Sequence, residues 1–311
     1  MPGQNAIGAR PSTDELKQLV DTGLHQVADA RPDLVRAVEL QRVLLDREID
    51  LLEVIATGGL PGLSLPPGYL AAKLRRGIPV LHGEPIPLPA RLLKLSAREF
   101  CDHLAGGGAG DAAVAVARAL DSRALDADAL LSACFGRDQR RVRFLALQQS
   151  VSPDIAWLVA ELALAPFAYL LQTQTIARRG DAASAVNLAL GAWDRGFCPA
   201  CGSWPALAEA GTGGHQLRCS FCAARWALAS YRCIYCANRS RTFVTAAPDL
   251  QVPGRRLQLC GACGGYVKVL EVAAPAQFPL VSIEDLASVD LDLVAIERKY
   301  VKPPLPEIKK T

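Results

Sequence analysis

The sequence predicts an α+β multidomain chain: an α-helical N-terminal domain, two small zinc-ribbon-like metal modules, and a short helical C-terminal tail. Three observations lead there. Apolar residues recur at helical spacing up to about residue 190. From Phe197 the composition shifts to Cys, Gly and Arg with short strand-like pieces. Between Cys198 and Cys263 the pattern Cys-x-x-Cys occurs four times. The expected boundaries are 1–193 for a helical domain with a core of its own, 194–230 and 231–273 for the two four-thiolate modules, and 274–311 for the tail.

At 311 residues the chain is long enough for more than one domain. Half of it is apolar but only 6% is aromatic, so the core is built of Ala, Leu and Val. Its 34 basic and 31 acidic residues nearly cancel, which argues against a dedicated nucleic-acid or membrane-surface protein.

Taken in order, Ser12-Thr13-Asp14-Glu15 reads as a capping box that opens the first helix. A second helix opens at Pro32 and stops at Gly58-Gly59. Prolines punctuate 61–89, with a short helix over 69–76. Helical patterns resume over 96–104, 111–120, 126–135, 139–149, 152–178 and 181–190. Gly106-Gly107-Gly108-Ala109-Gly110 lacks the Gly-Lys-Ser/Thr of a phosphate loop and reads as an interhelix joint, with Asp111 as the next N-cap. Strands are expected over 215–218, 225–228, 242–245 and 266–272, then one helix over 283–298.

No secretory core stands in residues 1–15. The apolar run 155–171 is shorter than the roughly 20 residues a span needs and carries Glu161 and Pro166. It reads as a buried helix, so no membrane insertion is expected and the chain is placed in the cytoplasm. In that reducing compartment, paired cysteines mean metal or redox chemistry rather than structural disulfides.

The knuckles are Cys198/Cys201, Cys219/Cys222, Cys233/Cys236 and Cys260/Cys263. Two intervening residues let both sulfurs face one ion, and the tight turn aims following N–H groups at them. Gly202 and Gly264 follow the first and fourth, where positive φ is useful; Ala223 and Ala237 fit the other two less well. The gaps between knuckles are 17, 10 and 23 residues, which pairs the first with the second and the third with the fourth. An interleaved cross-brace is the alternative. Each quartet makes a closed four-sulfur site that suits zinc or iron. A module this small cannot fold on its own core, so a purely structural role, worth about 10–16 kcal/mol of folding free energy, stands beside electron transfer, thiol chemistry or display of a binding surface.

Residues 195–270 hold nine basic residues against two acids, a balance that on its face resembles a nucleic-acid ribbon. Eight thiolates on two divalent ions carry a net charge of about −4, so much of that arginine reads as compensation and a nucleic-acid partner is not expected. Cys101 and Cys134 read as buried small residues, His215 as a strand residue, and His25, His82 and His103 have no ligand spacing. No catalytic constellation is present.

The wording of the knuckles goes further. Cys198-Pro-Ala-Cys-Gly-Ser-Trp-Pro205, Leu217-Arg-Cys-Ser-Phe-Cys-Ala-Ala-Arg-Trp226, Arg232-Cys-Ile-Tyr-Cys236 and Cys260-Gly-Ala-Cys-Gly-Gly-Tyr-Val-Lys268 resemble the formate dehydrogenase accessory protein FdhE family. Glu284-Asp285-Leu286-Ala287-Ser288 and Leu291-Asp292-Leu293 resemble its C-terminal signature. Gly261 and Lys299 depart from the family's acidic residue and glycine at those positions, neither of them a ligand. The resemblance implies rubredoxin-like modules and two iron ions. It also implies a non-catalytic cytoplasmic maturation factor acting on the catalytic (alpha), molybdopterin-binding subunit of respiratory formate dehydrogenase. The rival readings are a rubredoxin-like electron carrier or thiol-redox protein, and a zinc-ribbon nucleic-acid binder.

Overall fold

The computed structural model describes residues 11–60, 65–177, 184–211, 214–228, 230–247 and 252–308. Pro61 and residues 178–183, where the sequence places a proline break and the start of a helix, lie outside them. Ser12 opens α1 (Thr13–Ala30) with both halves of the capping box formed, and Leu16, Val20, Leu24 and Val27 make its buried face. A 3-10 turn at Pro32–Leu34 leads into α2 (Val35–Gly58), where Gly59 ends the helix at φ 81°. Then follow α3 (Pro67–Arg75), α4 (Ala90–Leu104), α5 (Gly110–Asp121), α6 (Ala127–Phe135), α7 (Gln139–Gln148), α8 (Pro153–Gln172) and α9 (Ala185–Gly191).

The apolar α8 is the axle of this region, with α2, α4, α5, α6 and α7 packed around it. With its π-turn extension it is long and apolar enough to cross a membrane, yet most of its length is buried inside the bundle. The glycine run is a joint, as its composition suggests, but Asp111 does not cap it. A π-turn at Ala105–Ala109 runs into α5, which begins at Gly110, and Gly108 at φ 118° makes the change of direction. Gly107 is needed for close approach, since a Cβ there would come within 2.3 Å of Leu40.

The cysteine-rich part repeats one pattern twice. A knuckle leads into β1 (Pro205–Gly211), which turns back as β2 (Gly214–Cys219), which ends in a knuckle and β3 (Arg225–Trp226). The second copy runs through β4 (Phe243–Ala246), β5 (Arg255–Cys260) and β6 (Tyr266–Glu271). The copies join edge to edge in one six-stranded sheet of order β3-β2-β1-β6-β5-β4. All neighbours are antiparallel except β1 and β6, which run parallel from Leu207↔Lys268 to Ala210↔Glu271. β1 and β5 carry no strand pattern that the sequence reading recognised; β1 is Ala-rich and buried on both faces, so it shows no alternation.

Two further corrections concern the core and the tail. The helical region does not keep a separate core: one contiguous cluster runs from Leu16 to Ala295 through the helices, both sheet halves and the tail. The single helix expected over 283–298 is two, α10 (Val281–Ala287) and α11 (Val289–Glu297). Between them the buried Ser288 hydroxyl donates to the Glu284 carbonyl at 2.7 Å, an alternative partner that ends the first helix.

Candidate metal centre

Each hairpin returns the chain to its own start. Cys219 at the end of β2 lies opposite Pro205, four residues past Cys201, and Cys260 at the end of β5 lies opposite Phe243. That register brings the flanking knuckles together. The structure gathers Cys198, Cys201, Cys219 and Cys222 in one quartet and Cys233, Cys236, Cys260 and Cys263 in another, with the sulfurs of each quartet within 4.8 Å of one another. The serial grouping is the one seen, not the interleaved one.

Across the first quartet Cys201 and Cys219 stand 3.4 Å apart and Cys198 and Cys222 3.6 Å. Across the second, Cys233 and Cys263 are 3.7 Å apart and Cys236 and Cys260 3.6 Å. Disulfide sulfurs would be about 2.0 Å apart. Four sulfurs held about 2.3 Å from one tetrahedral ion stand about 3.8 Å from each other, so both quartets fit such an ion. Each could hold one metal, two per chain, and the all-thiolate donor set suits zinc or iron.

The knuckles share one backbone geometry. Cys198, Cys219, Cys233 and Cys260 each donate their N–H to the carbonyl five residues on, at 2.8–2.9 Å. The residue after each knuckle is left-handed: Gly202 at φ 88°, Ala223 at 52°, Ala237 at 60° and Gly264 at 68°. Two alanines therefore occupy a conformation that costs a side-chain-bearing residue about 1–2 kcal/mol. In return, N–H groups inside the turns point at sulfur, from Ala200 to Cys198 at 3.3 Å and from Phe221 and Cys222 to Cys219 at 3.4 Å.

The two quartets differ in surroundings. All four cysteines of the first are buried, whereas Cys236 and Cys263 of the second are exposed. Burial raises the thiols of Cys198 and Cys222 well above the ordinary range. Cys201 is held well below that range: burial opposes it, but hydrogen bonds from neighbouring thiols and the charge of Arg137 prevail. In the second quartet burial also works against ionisation. The Cys263 N–H, the Asn238 amide and the Ala262 N–H nevertheless bring Cys260 down to about 6.

Sequence reasoning passed over Arg137. It sits in the turn before α7, distant in sequence from every knuckle, yet its guanidinium lies 4.3 Å from the ring of Phe221 inside the second knuckle. Trp157 stacks on it at 4.6 Å, and Glu161 of α8 accepts from both Arg137 and the Trp157 indole at 2.7 Å. The helical region thus presses a buried cation against the first quartet. Lys268, fully buried in β6, was also missed as an anchor. Its ammonium lies 2.6 Å from Asp285 and 2.7 Å from Asp292, fastening the sheet to α10 and α11.

The other candidates fall where the sequence left them. Cys101 and Cys134 are buried, and burial pushes the Cys101 thiol up to about 12. His215 lies exposed on β2 and His25 pairs with Asp29 at 3.5 Å. The arginine excess has partners beyond the thiolates: Arg218 faces Glu209, Arg232 Asp194, Arg255 Asp290 and Arg256 Glu271. Those acids lie largely outside the basic stretch, which is why a windowed charge count overstates its positive character.

No family model matches the chain. A protein FdhE homolog of Aquifex aeolicus is 30% identical over 115 residues, 35% of this chain and 40% of that one. The FdhE homolog of Pseudomonas putida is 37% identical over 108 residues, 31% of this chain and 33% of the relative. That of Yersinia pestis is 32% identical over 102 residues, 32% of each. The crystal structure of the FdhE protein from Pseudomonas aeruginosa shares the fold along nearly the whole chain. Its TM-score is 0.58 at 24% identity, with 95% of this chain and 96% of that chain covered. The chain is similar in sequence to FdhE homologs over about a third of its length and shares the fold of an FdhE protein. The matched stretches span well under half the length of the curated FdhE homologs, whereas the likeness of fold extends over nearly the whole chain.

Proposed function

We propose that this chain is a non-catalytic, metal-containing accessory factor for respiratory formate dehydrogenase that binds the enzyme's catalytic subunit in the cytoplasm. The observation that carries the reading is the pair of closed thiolate quartets in a chain related to FdhE. In this reading all eight knuckle cysteines are ligands. Four thiolates complete a tetrahedral shell, so neither ion keeps an open position for substrate, as a catalytic metal requires. Iron is the ion the family resemblance favours. The metals hold the sheet, and the helical bundle together with the sheet presents the client surface.

One observation favours a second reading. The exposed half of the second quartet, Cys236 and Cys263, gives solvent and redox partners access that the first quartet denies. An electron-carrying or thiol-exchanging role would use that site. The test is a deletion strain assayed for respiratory formate oxidation, with capture of the catalytic subunit by tagged protein. Lost activity with subunits still synthesised, and a captured subunit, are expected. Normal activity and no capture would refute the accessory role and bring the redox reading forward.

A further inference from the structure

Residues 301–308, Val-Lys-Pro-Pro-Leu-Pro-Glu-Ile, form no helix or regular strand, yet they are held along their whole length. The Val301 N–H donates to the Gly264 carbonyl at 2.8 Å, just past the fourth knuckle. The Trp204 indole donates to the Pro304 carbonyl at 2.8 Å. The Leu305 N–H donates to the Gln139 side chain at 2.9 Å, and Glu307 pairs with Arg140 of α7. Ile308 ends against Gly202, where a Cβ would come within 2.6 Å of it. The segment therefore straps the second module to the first and to the helical bundle.

Its exposure has a period. The period runs from Pro303 onward: Pro304 and Glu307 are exposed, while Pro303 and Pro306, and Leu305 and Ile308, are half-buried; ahead of it Val301 and Lys302 are both exposed. Three residues per turn is the repeat of polyproline II, which these prolines favour. Such helices are recognised on aromatic surfaces. Here Trp204 supplies a donor as well as a ring, flanked edge-on by Tyr235 at 4.9 Å and Phe197 at 6.0 Å.

We propose that the Trp204 surface is a docking site for an extended, proline-containing segment of a partner protein, occupied in the resting chain by its own tail. The seated tail defines the chemistry accepted: a proline-bearing backbone without helix or strand, a carbonyl for the indole, apolar residues at a spacing of three, and an acidic residue for Arg140. The tail is releasable because separate single contacts, not a continuous hydrogen-bond ladder, hold it. The Arg140–Glu307 pair is 86% and 74% exposed, the kind that adds little, and no regular secondary structure anchors the segment. As a tethered ligand the tail competes at an effective concentration on the order of millimolar, so a free segment binds the intact chain weakly and the vacated surface strongly. The inference names the kind of segment a client would offer and rests on the accessory reading only for which protein offers it.

The test uses the metal-loaded full chain with a protease site inserted between Tyr300 and Val301, cut after folding, and a synthetic peptide of residues 301–308. The Trp204 indole N–H resonance reports occupancy, and metal content reports the fold. The cut tail is expected to dissociate on dilution. The peptide should then restore the resonance, binding the cut chain at least tenfold more tightly than the uncut one. Trp204→Phe, which removes the indole signal and is therefore read by the fluorescence anisotropy of a dye-labelled peptide, should weaken it about fivefold to tenfold, the worth of one hydrogen bond. Replacing the three prolines of the peptide by glycine should weaken it at least as much. A cut chain that keeps its metals but does not rebind the peptide, or binds the glycine version equally well, overturns the proposal. If cutting releases the metals, the titration is repeated on the uncut chain carrying Leu305→Gly and Ile308→Gly, and no binding there also overturns it. A dimer of the uncut chain that dissociates on cutting would assign the surface to a second copy's tail, against the proposal.

Discussion

Removing the ammonium of Lys268 while keeping its stem, as Lys268→Met, tests how the sheet is fastened to the tail helices. In the native chain that ammonium is fully buried, 2.6 Å from Asp285 Oδ1, 2.7 Å from Asp292 Oδ2 and 2.8 Å from the Asp285 carbonyl. The Tyr266 hydroxyl adds a bond to the other Asp292 oxygen at 2.7 Å. Methionine fills the same channel but strands two carboxylates. Losing one partner of a buried pair costs about 3–5 kcal/mol. Asp285 is 38% exposed and Lys302 stands 3.5 Å from Asp292, so water and a second cation relieve part of the loss. The lower end, about 3 kcal/mol, is expected. Hydrogen exchange of the β5 and β6 amides reads it directly, and about 3 kcal/mol accelerates exchange on the order of a hundredfold. Adding Asp292→Asn removes one stranded charge, so the double variant should be more stable than Lys268→Met alone. Exchange faster by less than about fivefold, or strictly additive effects of the two substitutions, would refute this anchor.

Three further outcomes follow from the site and its support. Ala223→Gly and Ala237→Gly should each stabilise by about 0.5–1 kcal/mol, because relief of left-handed strain outweighs glycine's added unfolded-state entropy, and denaturant midpoints at fixed metal concentration check it. Cys198→Ser with Cys201→Ser should loosen the neighbouring helices as well as the sheet, since the first quartet lies in the shared core. Cys260→Ser with Cys263→Ser should act locally, on a small cluster with Phe243 and Tyr235; limited proteolysis distinguishes the two patterns. Glu48, buried in α2 with Glu161 nearby, is pushed up to about 8 by burial and by that carboxylate. The folded chain then holds a proton that the unfolded chain releases above about pH 4.5, so stability falls as pH rises toward 8. Glu48→Gln should gain on the parent across that window by at most about 1.4 kcal/mol per pH unit, in melts compared at pH 6 and pH 8.

The knuckles were legible because their information is local. Spacing favours grouping Cys198 to Cys222 and Cys233 to Cys263 over an interleaved set, as the structure has them, and the capping box at Ser12 and the stop at Gly59 are likewise written in adjacent residues. What escaped is long-range. The parallel pairing of β1 with β6 joins segments about 60 residues apart that carry no mutual signal, and it fuses two expected modules into one sheet. Arg137 reaches the first quartet from the turn before α7, and Lys268 looks like any strand lysine until Asp285 and Asp292 fold over it. Ser288 broke a helix whose apolar pattern runs straight through it. In the site, the four left-handed positions could be anticipated at the glycines but not at Ala223 and Ala237, where closing the turn around the sulfurs overrides the residue's own preference.

The central claim is that eight cysteines form two closed four-sulfur metal sites. Protein purified without oxygen from its native host, analysed for metal and by X-ray absorption, tests it most directly. The account predicts two ions per chain, each with four sulfur neighbours at about 2.3 Å and no lighter ligand. One ion per chain, or oxygen or nitrogen in either shell, would contradict it.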